Sequence, residues 1–414
     1  MRAVGALLVV LCACLPAPLA QTRPAPLVTQ AATPTADPTA SPAPRGSLEP
    51  APTPSPVVLP LCAGAATTGV YALCPKGARV SIDASVGEAD AAAIVAQVSL
   101  DLAAVQADFE WTLRGTPLID VYATNARYGD GLVQVFGYPR ATADFLVENS
   151  VAFFEPSLGR IAVSWEAVRG RRPIAVIRHE LTHVVTLEAC APRCDLVPAW
   201  LNEGQARLAE ALIPGAEWRL MRVRYEAASM VSTGTFLPLT SLWTQSQWNS
   251  LGDWAGYYKY QEAARATELL RADLGERAIP RIYARLRAGE DLARAYATLS
   301  GRSFAAFLAT LEERMTVEVP PAPGIVVSTP GAEGKGVSYL LYGFPGEAKV
   351  TLRLRSRLED ESQEISVSPQ GAHFGTIDDT YPPGTYTITA AGGGAAAAVT
   401  VTKRGGRVVR ELRD

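Results

Sequence analysis

The spacing of apolar residues predicts a chain with a mixed α/β part, a helical part and a β part. Apolar residues three and four positions apart at 91–109 predict a long helix over residues 85–112. A β-branched, apolar run at 117–122 predicts a strand after it. Beyond residue 203 the pattern is mostly helical to about Met315. The helices predicted there cover residues 257–274, 276–287, 290–299 and 303–315.

The pattern changes after a Pro-rich linker at residues 320–324. Residues 326–401 alternate short strand-like runs with Gly and Pro turns, which is typical of an antiparallel β-sandwich of immunoglobulin-like type. His373 lies in this region without neighbouring ligand residues, and we predict a surface or turn position for it. The clearest strands predicted are residues 338–342, 349–354 and 364–367, and residues 381–388 are predicted to be a turn that leads into a late strand.

The first sixty residues have the composition of an export signal and a spacer. A short basic start and an apolar run at 3–15, too short for a bilayer core of about 30 Å, predict a signal peptide over residues 1–20. Leu11-Cys12-Ala13-Cys14 is similar to a bacterial lipobox, so Cys14 is a candidate for lipidation and a membrane tether. The alternative is ordinary cleavage near Ala20. Residues 21–60, rich in Pro, Thr and Ala, are predicted to be a disordered linker.

Four further cysteines in an exported chain favour disulfides over free thiols. Three connectivities are open, and we predict the two local pairs, Cys62 with Cys74 and Cys190 with Cys194. A zinc site made by these cysteines is the rival, but neither pair has the spacing of a zinc knuckle. The net charge of −3, with no basic stripe, argues against a nucleic-acid partner.

The candidate chemistry lies in His179-Glu180-Leu181-Thr182-His183. Residues four apart share one helix face, so His179 and His183 can direct two imidazoles at one metal ion. These are two of only three histidines in the chain. Such a string can also arise by chance on an exposed helix, but the apolar residues around it indicate a buried one, where histidines without a ligand are costly.

A catalytic zinc ion takes three protein ligands and leaves one position for water. Glu203 is the candidate third ligand, because a helix predicted over residues 201–212 can turn back and present it. Glu180 follows a ligand directly and points about 100° around the helix from it. It can therefore reach a water at the metal without binding the ion, which suits a general base.

His179-Glu180-Leu181-Thr182-His183 followed by Trp200-Leu201-Asn202-Glu203-Gly204 resembles the gluzincin metallopeptidases of the peptidase MA-like superfamily, which include thermolysin-like and aminopeptidase-N-like proteins. The motif identity covers about 30 residues. The resemblance implies Zn²⁺ held by His179, His183 and Glu203, with Glu180 activating water. It also implies a tyrosine whose hydroxyl binds the oxyanion, and Tyr260 is the candidate, with Tyr257 and Tyr258 as alternatives.

Two departures from the family pattern limit the resemblance. The chain has no Gly-x-Met-Glu-Asn segment before His179, so aminopeptidase activity is not supported. Arg207 stands where thermolysin-like enzymes have an acidic residue that supports a zinc-binding histidine. Glu210 or a backbone carbonyl is then the candidate support. In the gluzincin pattern the strand at 160–164 would be a sheet edge that pairs with an extended substrate, and the alternative is a purely structural strand.

These observations predict an α+β chain with a gluzincin-like zinc peptidase domain at residues 61–318, made of a mixed α/β lobe and a helical lobe. A small all-β, immunoglobulin-like sandwich at 325–403 and a tail at 404–414 follow it. The expected function is a secreted or surface-anchored zinc metallopeptidase acting on a peptide or protein substrate. The alternatives are a cell-surface binding protein with a structural or vestigial zinc site, and a zinc hydrolase of non-peptide amides.

Overall fold

The computed structural model describes most of the chain from residue 70 onward. The predicted signal peptide, Cys14, the linker, Cys62 and Cys74 lie outside the described residues, so the predictions made for them stay predictions. The residues described are 70–73, 77–169, 174–214, 217–232, 234–251, 253–316, 322–327, 337–357, 359–377, 384–404 and 407–410.

The first part is a mixed five-stranded sheet covered by helices, with strand order β1-β2-β3-β5-β4. Strands β2, β3 and β5 are parallel, whereas β1 and β4 are antiparallel to their neighbours. The predicted long helix is α1, and its apolar face packs on the sheet in one core with Ile119 and Ile161. The elements in chain order are β1 Val70–Leu73, β2 Arg79–Asp83, α1 Glu88–Asp108, β3 Leu118–Tyr122, α2 Asn125–Gln134, α3 Arg140–Asn149, β4 Ala152–Glu155, β5 Arg160–Ser164 and α4 Trp165–Val168.

The strand at 160–164 forms as predicted, but the edge role suggested for it is wrong. β5 pairs with β3 on one side and with β4 on the other, so both of its edges carry backbone hydrogen bonds. The antiparallel strand β4 follows it in the sheet and is the outermost strand on that side. Strand order depends on contacts between distant segments, which local sequence patterns do not encode.

Two buried helices follow the sheet and form the centre of the domain, namely α5 Ala175–Cys190 and α6 Ala199–Ala211. Every residue of α5 is buried except Leu187 and Glu188. This helix therefore has no solvent-facing side over most of its length. A short 3-10 turn at Cys194–Leu196 connects it to α6. This burial is what the apolar residues flanking the histidines predicted.

The remaining helices pack around α6 as a helical lobe with its own core. The helix predicted from residue 257 begins earlier, at Asp253, and the helix predicted over 303–315 is divided at Thr310 into two short helices. These elements are α7 Glu217–Ser232, α8 Gln245–Asn249, α9 Asp253–Leu274, α10 Ala278–Arg287, α11 Leu292–Ser300, α12 Phe304–Ala309 and α13 Leu311–Met315.

The C-terminal part consists of two antiparallel sheets that share one apolar core. Strand Lys349–Arg355 alternates strictly between exposed and buried residues, as expected where one face of a sheet is covered. His373 begins a strand and is half-buried, so the predicted turn position is wrong. The strands are β6 Gly324–Val327, β7 Val337–Tyr342, β8 Lys349–Arg355, β9 Asp360–Ser366, β10 His373–Ile377, β11 Gly384–Gly392, β12 Ala395–Arg404 and β13 Arg407–Arg410.

The described chain is therefore an α+β protein, as predicted, with helices and sheets segregated along much of its length. Among the helices described, none combines the length and apolar character needed to cross a bilayer.

Candidate metal centre

The two histidines of the motif lie one turn apart on α5 and face the same point. Their ring centroids are 4.8 Å apart and their planes are inclined at 74°. His179 is fully buried and His183 is 4% exposed. The prediction that both rings lie on one buried helix face is thus met by the geometry.

Glu203 reaches the histidine pair from α6. Its Oε2 atom lies 3.5 Å from Nε2 of His179 and 3.5 Å from Nε2 of His183. The three ligand atoms are close enough to hold one metal ion, and all three residues are buried. The structure therefore brings together the three residues predicted as ligands.

The second nitrogen of each ring is held by a neighbouring side chain. Nδ1 of His179 donates to Oε1 of Glu210 at 2.7 Å, and Nδ1 of His183 donates to Oδ1 of Asn202 at 3.1 Å. A donated Nδ1–H fixes the tautomer in which Nε2 carries the lone pair. Both lone pairs then point toward Glu203, as metal binding requires.

Several buried polar atoms at this point make no hydrogen bond within the described chain. They are Nε2 of His179 and both carboxylate oxygens of Glu180. Burying such groups without partners costs several kcal/mol, roughly 1–3 for each neutral group and more for a charged one. A metal ion with a bound water would satisfy these atoms. Two imidazoles and a carboxylate are also a donor set that suits zinc.

The charges around the site favour a cation. Burial alone would lower the pKa of His179, but the carboxylates of Glu203 and Glu210 raise this pKa to about 10. Burial acts to raise the pKa of Glu203, yet the charge of His183 and the close approach of both histidine rings lower this pKa well below its usual range. The same carboxylates that hold a proton on His179 would attract a metal ion in its place.

The pKa of the Glu180 carboxyl is shifted in the opposite direction from that of Glu203. Burial raises the pKa of its carboxyl to about 7, while the neighbouring histidines act to lower this pKa. It lies beside the ligand set without sharing it. A carboxyl group with a pKa near neutrality is suited to accepting and returning a proton.

Arg207 takes part in the support of His179 indirectly. Its Nη1 donates to Oε2 of Glu210 at 2.5 Å, and Nη1 of Arg219 lies 3.9 Å from the same oxygen. Burial would raise the pKa of Glu210, but the charge of Arg207 and the bond from His179 lower this pKa to about 2. Arg207 thus keeps Glu210 ionised, and Glu210 accepts the hydrogen bond from His179. The support that thermolysin-like enzymes obtain from an acidic residue at the position of Arg207 comes here from Glu210.

Gly204 lets α6 approach α9 closely next to the third ligand. A Cβ atom at this position would lie 2.4 Å from the carbonyl oxygen of Ala263 and 2.5 Å from Oγ1 of Thr267. Any larger residue would push the two helices apart. The glycine of the Asn-Glu-Gly segment therefore sets the depth at which Glu203 enters the site.

The same helix contact brings Tyr260 of α9 to the metal ligands. Its ring centroid is 6.1 Å from that of His179, and its ring packs edge-on against Trp248 at 4.9 Å. Tyr260 is 5% exposed, whereas Tyr258 is 37% exposed. The side chain of Tyr257 lies outside the described residues. Tyr260 is therefore the candidate that the structure brings beside the histidines.

The loop between the two ligand helices is closed by Cys190 and Cys194, whose sulfur atoms lie at bonding distance with Cα atoms 4.8 Å apart. This is the local pairing predicted for these residues. The bridge limits the conformations open to the segment that leads from His183 to Glu203.

Two site features were not anticipated. Asn202 was not assigned a role, and its position next to Glu203 is no signal of one, because neighbouring helix residues point about 100° apart. Arg178, which could have neutralised Glu180, instead donates to Asp101 of α1 at 2.7 Å. Glu180 is therefore not neutralised by its sequence neighbour.

Comparisons with protein-family models and with curated proteins find no match to this chain. What can be said of its function comes from the site itself and from the motif resemblance.

Proposed function

We propose that this protein is a zinc-dependent peptidase of the gluzincin type, which hydrolyses peptide bonds with an activated water. The observation that carries the proposal is the meeting of both histidine Nε2 atoms with Glu203 Oε2 at 3.5 Å in a buried site. Zinc held by these residues would act as a Lewis acid on a carbonyl group and would acidify a water molecule.

Glu180 is the proposed general base. Its carboxylate interacts electrostatically with His179, His183 and Glu203, is not one of the three candidate ligands and makes no hydrogen bond to another described residue. It would take a proton from the attacking water and deliver it to the leaving amine. Its position one residue after His179 gives it access to the water side of the ligand set.

Tyr260 is the proposed oxyanion donor. A phenol can donate a hydrogen bond to negative charge that develops on the carbonyl oxygen, and such donors commonly contribute a few kcal/mol to a transition state. Its ring lies 6.1 Å from the His179 ring, on the helix that packs against Gly204. The contact with Trp248 restrains the ring in this position.

The C-terminal part supports the proposed immunoglobulin-like sandwich at the level of its architecture. Its two sheets are antiparallel, and residues from both, such as Tyr339 and Ile388, share one core. Export and lipidation at Cys14 remain part of the proposal on sequence grounds alone.

The experiment that tests the peptidase proposal is Glu180→Gln. We expect the variant to bind one zinc ion per chain as the wild type does, and to lose at least roughly 1000-fold in the rate of cleavage of a peptide library. Glutamine keeps the shape of the side chain but cannot accept the proton.

A suitable control is Glu148→Gln, which changes an exposed glutamate on α3 and should leave both zinc content and cleavage unchanged. Retained turnover in Glu180→Gln would remove its role as the base. Zinc binding without cleavage of any peptide by the wild type would favour a structural zinc site or a non-peptide amide substrate.

A further inference from the structure

Part of the tail predicted at 404–414 forms strand β13, which pairs with β12, so the β domain covers residues 324–410 rather than 325–403. This domain does not stand apart from the metal centre. One of its sheets, β10-β7-β6, packs against helices of the catalytic part through two small apolar clusters, which together we call the seam. The seam residues are Ala175, Ile213, Met221 and Tyr225 on the helical side, and Val326, Leu340, Tyr342, Ala372 and Phe374 on the β side.

Phe374 of β10 is the one β-domain residue that belongs to both clusters of the seam. The guanidinium carbon of Arg222 on α7 lies 3.7 Å from the centre of its ring. A cation this close to an aromatic face is attracted by the negative face of the ring, and more strongly when it is partly desolvated. The Arg222 side chain is 14% exposed, so this contact is largely shielded from water.

The helical side of the seam is formed by the elements that build the metal centre. Ala175 is the first residue of α5, one helical turn before His179. Ile213 follows Glu210 by three residues and lies two residues beyond Ala211, the last residue of α6. Met221 is on α7, whose Arg219 lies 3.9 Å from Oε2 of Glu210. The seam therefore touches all three helices that must be in register for Glu210 to hold His179.

We propose that the β domain is a positioning element of the metal centre, and that Phe374 is its main positioning residue. By packing on α5, α6 and α7 at once, the β domain fixes the distance between Glu210 and His179. Because a hydrogen bond weakens steeply with distance and angle, a small shift of one helix would loosen the imidazole. This inference rests on the metal site of the proposed function, but not on peptidase activity.

The test is the zinc affinity of the full chain with Phe374→Ala, measured by competition with a chromophoric chelator. We expect affinity to fall about 10-fold, since residues that support metal ligands typically contribute 10–100-fold and Phe374 acts one contact further out. Phe374→Tyr keeps the aromatic face over Arg222 and should restore affinity to within about 2-fold of the wild type.

The matched control is Val350→Ala, a cavity-forming change in the core of the same β domain but outside the seam. It should lower thermal stability as Phe374→Ala does, and it should leave zinc affinity unchanged. If Phe374→Ala does not fold, Arg222→Met provides a second test, because it keeps the apolar stem and removes the cation. We expect it to weaken zinc binding about 3-fold.

Wild-type zinc affinity in both Phe374→Ala and Arg222→Met would overturn the inference and leave the peptidase proposal intact. An equal loss of affinity in Val350→Ala would also overturn it, because general destabilisation would then be the cause. A wild type that binds zinc but cleaves no peptide would refute only the peptidase, and one that binds no zinc would refute both.

Discussion

The core around the candidate metal centre and the core of the β domain are built from different kinds of residue. Around α5 and α6 the buried interior holds ionisable side chains, including Arg178, His179, Glu180, Glu203 and Glu210. In the described part of the β domain, buried positions are apolar or aromatic apart from Gln370 and Thr402. Strand β8 shows this most clearly, because Val350, Leu352 and Leu354 alternate with exposed polar residues.

The two cores differ in how their buried polar groups are paired. Buried charges are tolerated when they are paired, as Arg178 is with Asp101. The Glu180 carboxylate and Nε2 of His179 have no hydrogen bond of this kind within the described residues. Buried atoms without a hydrogen bond also occur elsewhere in the described chain, for example on Asp101, Trp200 and Gln370. What distinguishes His179 is that its unsatisfied atom belongs to a group of three residues able to hold one metal ion.

Among the substitutions that test this difference, Gly204→Ala is expected to have the largest effect on stability and zinc binding. The added methyl group would meet the backbone of Ala263 and Oγ1 of Thr267 at about 2.5 Å or less, and the helices would have to separate. We expect a loss of about 1–3 kcal/mol in unfolding free energy, together with weaker zinc binding because Glu203 moves with α6. Denaturant unfolding and chelator competition measure the two effects.

Gly115→Ala is the control for this change, since the nearest atom to an added Cβ there is at 3.5 Å. It should leave the unfolding free energy and the zinc affinity close to those of the wild type. Unchanged zinc affinity in Gly204→Ala would mean that the approach of α6 to α9 does not set the position of Glu203.

A second prediction concerns Glu210→Gln, which keeps the acceptor for Nδ1 of His179 but removes the negative charge. We expect zinc affinity to fall about 10-fold, because the neutral acceptor makes the imidazole a weaker ligand. Arg207 would also lose its ionic partner at 2.5 Å. Chelator competition at constant pH measures the loss, and an affinity equal to that of the wild type would show that the charge of Glu210 does not support His179.

A third prediction concerns stability rather than zinc binding: Glu262→Gln changes a buried carboxyl of the helical lobe away from the ligand set. Burial raises the pKa of Glu262 to about 8, while the hydrogen bond from the backbone N–H of Leu237 acts to lower it. The folded state therefore binds this proton more tightly than the unfolded state. Its contribution to stability declines as pH rises from the unfolded pKa of about 4.5 to about 8.

Glutamine removes this dependence and still accepts the Leu237 hydrogen bond. The variant should match the wild type near pH 4.5 and become more stable than it as pH rises, by up to about 1.4 kcal/mol per pH unit. Unfolding of both proteins at pH 5 and pH 8 gives the difference. A stability difference that is the same at both pH values would contradict the assigned cause.

The site was more predictable from sequence than the arrangement of the strands. His179 and His183 share a face because helix geometry is local, and Glu203 follows after one short loop, so few topologies could separate them. The support of His179 by Glu210 was one of two options, and only packing of α5 on α6 decides between them. Asn202 was not anticipated, because its contact with His183 crosses from one helix to another.

The errors in the fold arose where distant segments decide the outcome. Strand β5 is internal because β4 pairs with it, and the local pattern of β5 carries no information about that partner. Helices α2 and α3 were not predicted, because their short segments are mixed in polarity and are held by packing against the sheet. The break at Thr310 also depends on tertiary packing, since no Pro or Gly marks it.

The most direct measurement is the zinc content of the purified full chain and of Glu203→Ala after exchange into metal-free buffer. Our account predicts one zinc ion per wild-type chain and loss of zinc from the variant, because removal of one ligand weakens binding by roughly 1000-fold. A wild-type chain without zinc, or a variant that keeps one zinc ion per chain, would contradict the proposed metal centre.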